Sequence, residues 1–154
     1  MSVRVQVSTG NLRARADEAA RRASQIVMGE LFAAFQQSFT AKAWAWPRQS
    51  ERSNGSMVGS PRNLIDTANL RQSGSWQMIG PYTARFTWSA NYATAVHEGA
   101  MIFPWGNRDA ARVQLPPRPW TRAVLGQENV GGIRVYPFGD RLQNVWLAKF
   151  KAGS

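Results

Sequence analysis

Residues 12–39 read LRARADEAARRASQIVMGELFAAFQQSF. Apolar side chains recur at Leu12, Ala16, Ala19, Ala23, Val27, Leu31, Phe35 and Phe39, in steps of three and four. Such steps return once per helical turn, so they predict a long helix with one apolar stripe. Asp17 and Glu18 each stand four residues before an arginine, Arg21 and Arg22, the order that best supports a helix. Ser8, Thr9, Gly10 and Asn11 supply turn and N-cap chemistry just upstream. Before them Val3, Val5 and Val7 alternate with polar residues, as in a short strand. Arg13, Arg15, Arg21 and Arg22 crowd the first half of the helix. A solvated face explains that cluster more simply than a dedicated DNA-binding face.

Downstream the periodicity changes to two. Residues 74–79, a Gly80-Pro81 turn and residues 82–89 predict a β-hairpin. Tyr82, Ala84, Phe86 and Trp88 fall on one of its faces, and Thr83, Arg85 and Thr87 on the other. Residues 92–99 read as a short helix or turn closed by Gly99. Residues 100–114 read as an insertion or extended loop, aromatic and turn-rich at Phe103, Pro104 and Trp105. Pro116, Pro117 and Pro119 make a stiff extended segment, because proline fixes φ and pushes its predecessor to extended geometry. A helical turn follows over 120–125, a strand over 133–136 and a last helix over 139–151, with Leu142, Val145, Trp146 and Phe150 on one side. Residues 40–61, polar beyond Trp44 and Trp46, read as a long exposed loop. The expected fold class is α+β. A small antiparallel sheet packs against the long N-terminal helix and shorter helices, in one domain of 154 residues with extended loops at 40–61 and 100–115.

Composition narrows the function classes. Hydrophobic residues make up 44% of the chain, including seven Trp and seven Phe, enough for a real core. Cysteine is absent, which removes disulfides and thiolate metal sites and suits assembly in a reducing cytoplasm. No apolar run approaches the ~20 residues of a membrane span. Residues 1–10 lack the apolar stretch of a signal peptide. Neither membrane insertion nor export by that route is expected. The formal charge is +10, with sixteen Arg to three Lys. A basic balance points to an acidic partner, nucleic acid or the acidic face of a protein. The arginine bias leans toward protein, since guanidinium pairs bidentately with carboxylates and stacks on aromatics.

Catalytic and cofactor chemistry finds little footing. His97 is the single histidine, and Met101 stands where an H-E-x-x-H zinc motif would place its second. There is no G-x-S-x-G elbow, and no Lys-Ser or Lys-Thr pair follows Gly10 or Gly131-Gly132 as a phosphate loop requires. The expectation is no catalytic site, no metal and no cofactor. His97 then reads as a core or interface histidine bonded to a backbone carbonyl or to Asp66. Arg118, rigid between prolines, has Glu98, Asp66 or an acid of a neighbouring subunit within its reach. Trp120 reads as core or subunit contact.

Three phrases carry a resemblance. Residues 66–73 read DTANLRQS, residues 92–99 read YATAVHEG, and residues 115–120 read LPPRPW. In order and spacing they resemble the neck and tail-completion family of tailed bacteriophages, which shows D-T-G-x-L-R-x-S, then Y-A-x-x-x-H-x-G, then P-A-R-P-[FW]. The likeness covers about residues 62–125 and fades toward residues 126–154. Ala68 replaces the family glycine, which suggests a backbone there with no need of a positive φ. The resemblance implies a structural virion protein, assembled in the host cytoplasm. It would form a ring, sixfold or twelvefold, that completes or terminates the tail and joins it to the head connector. Implied partners are other copies of itself, connector or head-closure proteins and tail tube or sheath proteins. Genomic DNA in the lumen would be touched without sequence specificity. A free, non-specific nucleic-acid-binding protein is the alternative. Interface candidates are Asp66, Leu70, Arg71, Tyr92, His97, Glu98, Phe103, Trp105, Arg118 and Trp120. Residues 45–61 are a candidate arm toward a neighbour or the tail tube.

Overall fold

The computed structural model describes residues 9–45, 50–51, 55–58, 68–103, 108–109 and 111–152. Asp66, Trp105 and the strand expected around Val3, Val5 and Val7 lie outside them. The fold is mixed helix and strand, as the periodicities require. Helix α1 spans Thr9–Ser38. It starts within the expected turn residues, taking in Thr9, Gly10 and Asn11. Its stripe is buried at Ala19, Ala23, Val27, Leu31 and Phe35 and continues to Phe39, whereas Leu12 at the N-terminal end is exposed.

Among the described residues, five further helical pieces and three two-stranded ladders follow. A 3-10 turn, Lys42–Trp44, precedes β1 (Ser50–Glu51), which pairs antiparallel with β2 (Met57–Val58). Helix α2 is Asn69–Gln72; β3 (Gly74–Met78) and β4 (Ala84–Trp88) form the hairpin. Helix α3 is Ala93–Glu98; β5 (Ala100–Ile102) pairs antiparallel with β6 (Val113–Leu115). Helices α4 (Trp120–Val124) and α5 (Phe138–Ala152) complete the chain. The strands are spread over three ladders rather than gathered in one sheet.

Several expectations need correction. Residues 40–61 are not wholly an exposed loop: Trp44 is buried, its indole N–H donates to Ser38 O at 2.8 Å, and β1 and β2 pair beyond it. Residues 100–114 are not a free insertion either, because their two ends form the β5–β6 ladder. No strand forms over 133–136. Tyr136 N–H donates to Val124 O at 2.8 Å, so this segment is held by a helix end rather than a ladder. Tyr82, expected on one strand face with Ala84, Phe86 and Trp88, precedes β4 and is exposed.

The described chain divides into two compact units. The first holds residues 9–30, 77–85 and 137–152. In it Trp146 Nε1–H donates to Ala16 O at 3.3 Å, and Arg141 forks onto Glu30 at 2.6 and 2.7 Å. The second holds the described residues within 31–76 and 86–136. Its centre is an aromatic cluster. Phe35 meets Phe86 edge-on at 5.3 Å, Phe39 meets Trp120 at 5.1 Å, and Trp88 meets Trp120 edge-on at 5.5 Å. Offset and edge-on contacts between large rings dominate core energetics in a unit this small.

Candidate functional site

The second and third phrases converge in the second unit. Gly99 ends α3 with φ 78° and ψ 156°, a region open essentially to glycine alone. A side chain there would also collide with the following segment: its Cβ would stand 3.0 Å from Leu115 O and from Pro117 N. Glycine therefore lets the proline segment cross directly over the end of α3. Within residues 116–119 only Arg118 carries a backbone N–H, and it donates to Val96 O at 3.0 Å. The three prolines and this one bond make a strap whose register on α3 is fixed.

The strap delivers Trp120, 2% exposed, to the aromatic cluster, and α4 begins there. The next two residues face α3. Thr121 Oγ1 lies 2.7 Å from His97 Nε2, and His97 Nδ1 lies 2.5 Å from Glu98 Oε1. The imidazole stands edge-on to the Trp120 ring at 4.6 Å. Arg122 forks onto Glu98, with Nη1 3.1 Å from Oε1 and Nη2 3.0 Å from Oε2, while its Nε lies 2.7 Å from Glu128 Oε1. Hydrogen bonding from His97 first, and from Arg122 second, holds the Glu98 carboxyl below the usual carboxylate range. The bond to Glu98 likewise raises Arg122. Both imidazole nitrogens are engaged, so the histidine bridges two helices as one clasp.

These contacts settle earlier alternatives. His97 bonds Glu98 and Thr121, not a backbone carbonyl. Glu98 is taken by Arg122, not by Arg118. The sequence does not single out Thr121, Arg122 and Glu128; the available signal is two hydrogen-bonding side chains, Thr121 and Arg122, immediately after the proline phrase. Arg118 itself is buried, as is Trp120.

The first phrase is brought in through the hairpin. Ala68 has φ 56° and caps α2 without a side-chain bond, so the backbone does adopt the left-handed conformation that its alanine argued against. Leu70 is buried, Arg71 is exposed, and Ser73 O accepts from Ser89 N at 3.1 Å. Next to it, Gly74 has no room for a Cβ, which would fall 2.4 Å from Gln36 Nε2 and 2.8 Å from Trp88 Nε1.

Tyr92 is 37% exposed, and Phe103 carries the Arg112 guanidinium at 5.0 Å from its ring centre. Met101 and Ile102 on β5 are exposed as well. Among the described residues no group of three or more His, Cys, Asp or Glu could hold a metal ion, and no helix is long and apolar enough to cross a membrane. Comparison with protein-family models, with curated proteins and with solved structures finds no match.

Proposed function

We propose that this chain is a structural subunit of the head–tail junction of a tailed bacteriophage, closing with its own copies into a ring that completes or terminates the tail. The reading rests on the three phrases and their resemblance to the neck and tail-completion family. The observation that carries it is the clasp. The second and third phrases meet through Gly99 against Pro117, Val96 against Arg118, and His97 against Thr121 and Trp120. Residues that look decorative in sequence thus have packing reasons to occur together and in that order. The positive φ at Ala68, where the family pattern has glycine, adds support from the first phrase.

A ring requires a heterologous interface, one face of a subunit on a different face of the next. Tyr92, Met101 and Ile102 put apolar surface on the outside of the second unit and are the proposed contact group. The clasp behind them is a rigid support, not a reaction centre. The test is to mix the purified chain with isolated tail tubes and connectors and examine them by electron microscopy. Rings at one tube end or on the connector are expected. Tubes and connectors left bare at saturating protein would remove the proposal.

A further inference from the structure

We infer that the surface where the end of α5 meets the start of α1 is a contact site for the phosphates of duplex DNA. It lies within the first unit and does not depend on ring closure. Arg15 Nη2 donates to Phe150 O at 3.5 Å, and its guanidinium lies 5.4 Å from the Phe150 ring centre. Trp146 and Phe150 stack at 5.5 Å, with the indole bonded to Ala16 O at 3.3 Å. These contacts fix the last turn of α5, bearing Lys149 and Lys151, beside the first turns of α1, bearing Arg13 and Arg15.

Arg13, Lys149 and Lys151 are exposed and make no ion pair or hydrogen bond among the described residues. Nearby negative charge is largely spoken for. Glu18 is bonded by Arg22 at 2.7 Å and Glu30 by Arg141 at 2.6 Å, which leaves Asp17 as the exposed acid next to Arg13. Two of the chain's three lysines sit here. Lysine is depleted in protein interfaces but binds phosphate well as a point charge. The local aromatics cannot act as anchors for a protein partner, because Trp146 and Phe150 are spent on each other and on α1. Leu12 and Leu147 are the exposed apolar side chains on these two helix ends, at 44% and 37%, and neither is aromatic. Unpaired cations around aliphatic side chains, with no free Trp, Tyr or Phe as an anchor, suit a polyanion backbone better than an acidic protein face.

The test measures anisotropy of a labelled duplex of about 30 base pairs, between about 50 and about 200 mM salt. One variant carries Arg13→Ala, Lys149→Ala and Lys151→Ala. A control removes the same charge from exposed cations of the second unit, Lys42→Ala, Arg108→Ala and Arg134→Ala. Each phosphate contact adds close to one unit to the log–log salt slope, so the first variant should flatten it by about 2 to 3 units and weaken binding at least about tenfold at 100 mM. The control should weaken it less than about threefold. Should the first variant melt early, Lys149→Gln with Lys151→Gln is held to the same comparison. Equal losses in variant and control would overturn the inference, as would no salt-dependent affinity in the native chain. Displacement by polyglutamate as readily as by unlabelled duplex would also overturn it, in favour of an acidic protein partner. None of these outcomes decides whether rings form.

Discussion

Ala68 pays a conformational penalty that glycine would avoid. Its φ of 56° places Cβ against the following carbonyl, a strain of about 1–2 kcal/mol for an L-residue. Glycine relieves that strain but gives the unfolded chain more freedom, which offsets about 0.4–1 kcal/mol. Ala68→Gly should therefore stabilise the chain by about 0.5–1 kcal/mol and raise the thermal midpoint by about 2 °C, measured by scanning calorimetry. A fall in the midpoint would mean that this backbone relaxes when the side chain changes. Trp120 sets a second single-residue test. Its indole N–H is buried without an acceptor among the described residues, so the ring contributes by packing alone. Trp120→Phe should keep the fold, while Trp120→Ala should cost about 3–5 kcal/mol in denaturant titration. Similar losses in both would show that the indole nitrogen matters after all.

At the scale of elements, the clasp between α3 and α4 gives stability a dependence on pH. The Glu98 carboxyl is held below its ordinary value by His97 and Arg122. Its contribution is therefore fully present above the ordinary carboxylate pKa of 4.5 and is lost as pH falls through the depressed folded value. Chemical denaturation of Glu98→Gln beside the native chain should show a stability gap at neutral pH that closes in acid. A gap independent of pH would assign the loss to packing instead. Elements with sustained periodicity were legible in the sequence: α1 from its apolar stripe, the β3–β4 hairpin from its alternation, α5 from Leu142, Val145, Trp146 and Phe150. Short elements were not. The β5–β6 ladder is three residues deep and depends on Gly99 turning the chain back, which no local pattern states. Residues 133–136 alternate like a strand but have no partner ladder, so their backbone is tied to Val124 instead. The clasp was half legible. His97, Glu98 and Trp120 stood out, but Thr121 and Arg122 joined them only because the strap fixes where α4 begins.

At the scale of the whole molecule, two compact units share a chain of +10 charge, and each carries one of the two proposed contact surfaces. The first presents unpaired cations at the α1–α5 junction; the second presents Tyr92, Met101 and Ile102 in front of a rigid clasp. That division suits a subunit that meets its neighbours through apolar surface and a polyanion through charge. Ring closure through apolar contacts should resist salt, because screening weakens exposed ionic contacts far more than burial of apolar area. The most direct test is the native mass of the purified chain at low and moderate salt, alone and with connector and tail-tube proteins. A discrete species of six or twelve copies that survives moderate salt is the expected result. A monomer under every one of these conditions would contradict the account.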